Sequence, residues 1–172
     1  MSFQISFGGP KRIDGPTTIE KPGEYVLVTD LRNSRGTRLS ESCITIEASD
    51  VVLDGRGHVV DGNGISGTKG VTVGSASSVE NVTIRNLTVT DWNCGIHLKN
   101  LSNGKVRNVT ARKNAHGIYL EEAISNTIAG NTIVNNLVGI GPAASANRLR
   151  NNSLVGNYVA DIDDQPFPSD VI

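Results

Sequence analysis

Two aromatic rings, a histidine and two charged groups in the middle of the chain have the chemistry of a sugar site. His97 and Tyr119 are separated by an interval that recurs along the chain, Lys99 and Glu121 each follow two residues later, and Trp92 is the only tryptophan. Aromatic rings stack on the apolar faces of pyranoses, while charged groups bind sugar hydroxyls. Because side chains alternate along a strand, we expect an exposed column of Thr72, His97, Tyr119 and Gly141 beside Lys99 and Glu121. This column predicts a carbohydrate-binding set, and an ordinary solvated face is the alternative. The predicted set is Trp92, His97, Lys99, Tyr119 and Glu121.

Carboxylates in the same region raise the question of glycosidic cleavage, which needs two carboxyl groups on one bond. The candidate catalytic residues are Asp91, Glu121 and Glu122, and Asp54 with Asp61 form a further pair. Glu121 and Glu122 are adjacent, so they point to opposite sides if a strand continues through them. Asp54 and Asp61 each precede a glycine, where turns favour Asp. We therefore prefer a structural explanation for the carboxylates and leave an enzymatic role open.

A metal site is the third possibility. Cys94 and His116 are separated by the same recurring interval, and His97 is nearby. A thiolate with two imidazoles would suit Cu(I) or Zn²⁺. Only three ligands are visible, and packing in turns explains the same residues, so Cys94, His97 and His116 are a candidate set and not an established site.

An arginine column gives a fourth surface feature. Arg107 follows Arg85 at the recurring interval, Ala129 follows at the next, and Arg150 comes one position early. Such a column could bind acidic sugars or a neighbouring protomer. A solvated, salt-bridged face is the simpler explanation.

The elements that position all these groups repeat along the chain at one constant interval. It separates Ile96, Ile118, Ile140 and Ile162 without variation. A fixed period of this length indicates a repeat architecture, and segments rich in Val, Ile, Thr, Asn and Gly favour strands over helices. We expect an all-β fold, a single-stranded right-handed parallel β-helix. Two more apolar columns are predicted: Ile84, Val106, Ile128 and Leu149, and Val89, Ala111, Ile133 and Leu154.

The repeat suggests one domain with three parts. Residues 1–42 do not carry the repeat, and they are predicted to form a strand beginning at Gly23 and an N-terminal cap. Residues 43–162 are predicted to be the coils. Residues 163–172 are predicted to be a C-terminal cap, since Pro166 and Pro168 cannot donate to a strand ladder and Phe167 could cover the last coil. Turn asparagines are expected to tolerate left-handed backbone and to bond coil to coil.

Composition limits the partners and the compartment. A net charge of −1 gives no reason to propose nucleic acid. No segment reaches the roughly 18 apolar residues of a membrane span, so no membrane insertion is expected. Cys43 and Cys94 should lie two coils apart, roughly 9–10 Å, which is too far for a disulfide. The chain starts without the pattern of a signal peptide, so a cytoplasmic location is not excluded. A flat side sheet could also support a homo-oligomer.

The coils resemble a known family. The run VVLDGRGHVVDG at residues 51–62, NVTIRNLTV at 81–89 and the Gly-Ile-x-Leu coils resemble the NosD-like right-handed parallel β-helix proteins, relatives of the pectate-lyase-like fold. The likeness covers roughly residues 17–162. It implies an extracellular or cell-surface module, often carbohydrate-binding, and in the namesake group a periplasmic accessory to copper-site maturation. Pectate lyases use clustered acidic Ca²⁺ ligands, and no such cluster is visible in this sequence. We therefore expect no cofactor, with copper and Ca²⁺ as the alternatives.

The sequence therefore favours a non-catalytic β-helix module that binds a polysaccharide or glycan, or serves as a surface scaffold. The alternative is a polysaccharide-degrading enzyme, either a lyase or a glycoside hydrolase. A second alternative is a copper-handling accessory protein.

Overall fold

The computed structural model describes residues 8–32, 42–142 and 144–164. Its strands pair in parallel, each with the strand of the next coil. The coils stack into a parallel β-helix with three long faces around an aliphatic core. The predicted all-β, single-stranded parallel β-helix is confirmed.

Faces 1 and 2 share strands that bend at a corner. Face 1 contains β1 (Lys11–Ile13), β3 (Gly23–Leu27), β6 (Val51–Asp54), the first halves of β10 (Val82–Thr90) and β13 (Lys105–Arg112), β15 (Thr127–Ala129) and β18 (Arg148–Arg150). Face 2 contains β4 (Leu31–Arg32), β7 (Val59–Asp61), the second halves of β10 and β13, β16 (Thr132–Val134) and β19 (Ser153–Val155). The bend in β10 and β13 falls at Asn86 and Asn108, whose φ values of 57° and 50° are left-handed.

Face 3 is a separate seven-stranded sheet. It contains β2 (Thr17–Ile19), β5 (Ser42–Ile46), β8 (Lys69–Val73), β11 (Cys94–Lys99), β14 (His116–Glu121), β17 (Val138–Gly141) and β20 (Ala160–Ile162). A short pair, β9 (Val79–Glu80) and β12 (Leu101–Ser102), lies between faces 3 and 1 in chain order, and a 3-10 turn spans Ala144–Ala146. Within these described residues no helix is long and apolar enough to cross a membrane.

The apolar columns predicted from the sequence match the register of the paired strands. Ile96, Ile118, Ile140 and Ile162 are successive partners on face 3. The other two columns are confirmed on faces 1 and 2, where Ile84 pairs with Val106 and Val89 pairs with Ala111 before each continues to the last coil. Stacking like on like therefore forms a core that no single coil could bury by itself.

Buried asparagines connect the coils at the corners. Asn136 Oδ1 accepts hydrogen bonds from the backbone N and Nδ2 of Asn114, each at 3.0 Å, and the two asparagines are 22 residues apart, the length of one regular coil. Asn136 Nδ2 donates to Ala111 O and to Asn157 Oδ1, also at 3.0 Å. Asn126 with Asn147, and Asn131 with Asn152, repeat the arrangement at two other corners. Bonding of asparagines from coil to coil is confirmed.

The predicted boundary at residue 43 is wrong for the part of the N-terminal segment that the structure describes. The predicted strand at Gly23 is β3, and it pairs in register with β6. β2 and β4 likewise pair with β5 and β7. The first coils belong to the stack even though they are longer than the regular coils, because their inward columns keep the register.

The sequence also led to expectations about the two cysteines and the C-terminal cap. Cys43 and Cys94 are buried on strands β5 and β11, two coils apart as predicted, and no disulfide joins them. Most of the predicted C-terminal cap, including Phe167, lies outside the described residues. Residues 163 and 164 continue directly from β20.

We expect the asparagine ladders to carry a measurable part of the stability. Replacing Asn136 by Leu keeps a similar volume but leaves Asn114 N and Ala111 O without their partners. Unsatisfied buried groups cost about 1–3 kcal/mol each, so the free energy of unfolding should fall by about 3 kcal/mol in urea denaturation. Asn151→Gly is the control, since Asn151 is exposed with a left-handed φ that glycine adopts readily. A loss in Asn136→Leu no larger than in Asn151→Gly would contradict this role.

Candidate functional site

A polar groove of about 450 Å³ runs along the outer side of face 3. Hydroxyl groups and two lysines dominate its lining. The lining residues are Thr18, Ser42, Thr45, Lys69, Thr72, Ser75, His97 and Lys99. Hereafter these eight residues are called the face-3 groove.

The floor of the groove is one column of the β-helix register. Thr18, Thr45, Thr72 and His97 are successive partners on β2, β5, β8 and β11. The column becomes more buried along the stack, from exposed Thr18 through half-buried Thr45 to buried Thr72 and His97. Thr72 Oγ1 and Ser42 Oγ are hydrogen-bonded at 2.5 Å. The groove therefore offers a row of hydroxyls at one rung spacing.

A local irregularity in β11 determines which side chains reach the outer side. A Cβ added to Gly95 would lie 2.9 Å from Val89 Cγ2 and Asn114 Nδ2, so this position faces inward. The next residue, Ile96, is also fully buried in the core. Two consecutive inward positions break the simple alternation of a strand. His97 and Lys99 then face outward toward Tyr119 and Glu121 on the neighbouring coil.

His97 is a buried group in the groove floor. It is only 6% exposed. Its Nε2 is 2.9 Å from Glu121 Oε2, and its Nδ1 has no hydrogen-bond partner among the described residues. Burial lowers the pKa of His97, and the neighbouring carboxylate only partly offsets this effect. The imidazole is therefore neutral near pH 7. The predicted column of His97, Thr72, Tyr119 and Gly141 is in register, but the expectation that Thr72, His97 and Gly141 are exposed is wrong.

Glu121 is held by two neighbours at once. Its Oε1 is 3.2 Å from Lys99 Nζ, while Oε2 contacts His97. Burial raises the pKa of Glu121, but the hydrogen bonds from Lys99 and His97 and their charges outweigh burial, so the net pKa is lowered. The carboxylate is ionised at neutral pH and positions the Lys99 amine and the His97 ring at one end of the groove.

Tyr119 lies between two imidazoles. Its ring centroid is 5.1 Å from that of His97 and 5.0 Å from that of His116, both in edge-to-face geometry. Burial raises the pKa of Tyr119 to about 12, so its hydroxyl stays neutral. The predicted neighbourhood of His97, Lys99, Tyr119 and Glu121 is present in the structure.

Trp92 does not belong to this neighbourhood. It is 2% exposed, and its Nε1 donates to Val60 O at 3.0 Å. The indole packs at the corner before face 3, where a Cβ added to Gly70 would lie 3.0 Å from Nε1. The prediction that Trp92 stacks on a sugar is wrong, because the ring fills the core and its polar atom is already bonded. Tyr158 is the exposed aromatic of the described chain, on the last coil.

The remaining candidate carboxylates have structural positions. Asp91 and Glu122 adopt left-handed φ values of 61° and 51°, as turn residues do. Asp54 Oδ2 pairs with Arg85 Nε at 3.0 Å, and Asp61 pairs with Arg32 at 3.7 Å. The arginine column is in register, and Arg85 also contacts Glu24 at 3.4 Å. For Arg85, the salt-bridged face is the correct explanation.

The candidate metal residues are neighbours without forming a ligand cluster. Cys94 and His116 are register partners. Within residues 8–32, 42–142 and 144–164, no group of three or more His, Cys, Asp or Glu side chains could hold a metal ion. Burial raises the pKa of the Cys94 thiol to about 11, so this sulfur is not a thiolate at neutral pH.

Sequence reasoning placed Thr72 beside His97 but missed the other hydroxyl residues of the groove. Thr18, Thr45 and Thr72 follow one another at a constant interval of their own, which is longer than the one that separates Ile96 from Ile118. This longer interval is the signal that could have extended the column toward the N-terminus. Ser42, Ser75 and Lys69 enter the groove from neighbouring positions, and only the folded register shows their proximity.

The three-faced stack with a polar groove on its side defines a parallel β-helix module. The family described as "NosD: Periplasmic copper-binding protein (NosD)" matches residues 5–165, and the chain belongs to this family of right-handed β-helix proteins. No curated protein and no solved structure matches the chain.

The family description implies copper, a metal that imidazole and thiolate groups bind. His97 Nδ1 and His116 Nδ1 are buried without partners in the described chain, which leaves two imidazole nitrogens available. The third candidate, Cys94, keeps its proton, and no cluster of three ligands is formed among the described residues. These residues therefore do not fit a three-coordinate copper site.

Burial of the two histidines predicts a dependence of stability on pH. The pKa values of His97 and His116 are lowered in the folded state, chiefly by burial. The unfolded chain then binds more protons below about pH 6.5, so their contribution to stability is present above that pH and is lost toward the lower folded pKa values. We expect the free energy of unfolding in urea to fall between pH 7.5 and 5.5.

The variants His97→Gln and His116→Gln should each reduce that pH dependence. In NMR titrations of the wild-type protein, both rings should gain their proton below pH 6.5. Stability that stays constant or increases on going from pH 7.5 to 5.5 would contradict the assignment. Glu121 and Asp54, whose pKa values are also lowered, respond at more acidic pH and do not interfere in this window.

Proposed function

We propose that this protein is a non-catalytic β-helix module that binds a carbohydrate chain along the face-3 groove. The observation that carries the proposal is the row of Thr18, Thr45 and Thr72, with Lys69 and Lys99 beside it. Hydroxyls and ammonium groups at regular spacing suit a polymer rich in oxygen atoms, because each rung can bond to a successive part of the chain.

The charge state of Glu121 supports binding over cleavage. A glycosidic acid needs a raised pKa so that it carries a proton near neutral pH. Glu121 has a lowered pKa, and both its oxygens already contact basic side chains. This supports a role in holding Lys99 and His97 in place. The alternative of a lyase or glycoside hydrolase remains a test outcome.

The family description also supports a location outside the cytoplasm, where a glycan ligand would be met. "Periplasmic" is the description of the family, and we extend it to this chain as part of the proposal. The rigid stack would then act as a scaffold that presents the groove to an extended polymer.

Copper handling is the second candidate function. The family description supports it, as do the unpartnered Nδ1 atoms of His97 and His116. Two imidazoles are the donors that this chain would offer to copper near Tyr119. The protonated Cys94 and the absence of a three-ligand cluster in the described residues rank this function below carbohydrate binding.

Carbohydrate binding can be tested with a polysaccharide and oligosaccharide array, followed by calorimetry on the best binder. Lys69→Met should weaken binding at least tenfold, since a hydrogen bond from a charged group contributes about 1.5–3 kcal/mol. Thr45→Val should weaken it about fivefold through loss of one neutral hydrogen bond of about 1 kcal/mol. Lys105→Met is the control because Lys105 is an exposed lysine on face 1.

Equal binding by Lys69→Met, Thr45→Val and wild type would refute the groove as the binding site. A reducing-end release assay on the same polymers separates binding from catalysis. Product release that disappears in Glu121→Gln would overturn the non-catalytic proposal and support the enzyme alternative.

The copper alternative predicts stoichiometric retention of added Cu(I) after desalting, with the thiols kept reduced. Retention should fall strongly in the double variant His97→Gln/His116→Gln and stay unchanged in His58→Gln, since His58 lies just before β7, on another side of the stack, and contacts Asp30. Failure of the wild type to retain copper would remove this alternative. It would leave carbohydrate binding unaffected.

A further inference from the structure

The two ends of the stack are not equivalent. At the first coil, inward residues Ile13, Ile19 and Leu31 are at most 5% exposed. At the last coil, Leu149 and Leu154 are only partly buried, and Ile162 is 44% exposed. Within the described residues, the aliphatic interior is therefore covered at its beginning and open at the coil formed by β18, β19 and β20.

Exposed apolar side chains are concentrated on the same last coil. Val155 is 62% exposed, Tyr158 77% and Val159 74%. Together with Ile162 they form what we call the end patch. Elsewhere in the described chain the large exposed apolar residues are Ile65, Ile124 and Leu137. Exposed apolar side chains concentrated on one coil in this way are typical of an interaction site.

The strands of the last coil also present an edge. β18, β19 and β20 each end their series among the described strands. Their outer N–H and C=O groups are arranged to pair with another strand, as unprotected edges do. The occupant of the end patch should therefore contribute strands as well as apolar side chains.

Another parallel coil of the same type does not suit this edge. On face 3, Gly70, Gly95 and Gly117 form a column in which an added Cβ would lie 2.6–2.8 Å from the carbonyl of the next rung. Asp161 continues this column, after Gly139, and its carboxylate accepts a hydrogen bond from Asn157 Nδ2 at 2.8 Å. A further parallel rung would bring a carbonyl against the Cβ of Asp161. An antiparallel strand places its carbonyls in a different pattern.

A two-fold axis perpendicular to face 2 supplies antiparallel strands. It would set β19 against β19 of a second copy and would place β18 over the second copy's β20. β18 carries the exposed Arg148 and Arg150, whereas Asp161 lies on β20 and Asp163 and Asp164 follow it. The end of one molecule thus carries positive side chains on β18 and negative side chains on and after β20. A two-fold rotation brings the positive set of one copy over the negative set of the other. Self-complementarity of this kind is the requirement of an isologous dimer.

We propose that two copies of this protein associate end to end through their last coils, related by a two-fold axis, with the end patch and the edges of β18, β19 and β20 buried between them. In the dimer the coils of both copies form one continuous stack, and the strand direction reverses at the interface between the two copies. It places the two face-3 grooves on one rigid body and does not depend on the ligand those grooves bind.

Sedimentation equilibrium on the full chain tests this arrangement. We expect a mass of twice the 18.2 kDa of the chain. Val155→Glu should raise the dimer dissociation constant at least 100-fold, because it places two carboxylates opposite each other near the axis. Ile65→Glu should leave the mass unchanged, since Ile65 is 38% exposed and lies between β7 and β8, several coils before the last one.

Circular dichroism must show intact β structure in both variants, and Val159→Glu replaces Val155→Glu if the latter fails to fold. A monomeric wild type would overturn the proposal, including the case in which deletion of residues 165–172 is needed to produce a dimer. An open-ended series of masses would overturn the two-fold geometry in favour of head-to-tail assembly. A dimer unaffected by Val155→Glu would place the interface elsewhere.

Discussion

The structure depends on one interaction, the parallel backbone hydrogen-bond ladder that joins each coil to the next. Each coil hydrogen-bonds in parallel to the next, about 4.8 Å away, so every inward side chain rests on the side chain of the preceding coil. The column from Ile44 through Val71 and Ile96 to Ile162 shows the result. Where each coil turns a corner, the amides of Asn114, Asn136 and half-buried Asn157 satisfy backbone groups that the turn leaves without partners.

The same constraint leaves the outward positions free to differ. On face 3 the outward column passes from threonine to histidine, tyrosine and glycine while the inward column remains aliphatic. Chemistry can therefore be placed on the surface at regular intervals without affecting the core. The hydroxyl row and Lys69 form the open part of the groove, and the contacts among His97, Glu121 and Lys99 fix its far end.

The architecture could be predicted from the sequence because identical columns require a visible period. The site was predictable only in part. Register placed His97 beside Tyr119 and Lys99 beside Glu121, yet strict alternation could not show that Gly95 and Ile96 both face inward. Trp92 was assigned to the surface because its rarity and position suggested a sugar-stacking ring, whereas the space left by Gly62 and Gly70 accommodates it in the core. The first coil was missed because its interval to the next coil is longer than the one that separates Ile96 from Ile118.

Amide NMR on the 18.2 kDa protein, with and without an oligosaccharide that it binds, tests the central claim most directly. The account predicts that the largest shift changes lie at Thr45, Lys69, Thr72 and Lys99, with smaller ones toward Tyr119. It also predicts that Arg107, on face 1, and Tyr158, on the last coil, do not respond. Changes centred on either of those two regions, or no response to any oligosaccharide, would contradict the placement of the binding site in the face-3 groove.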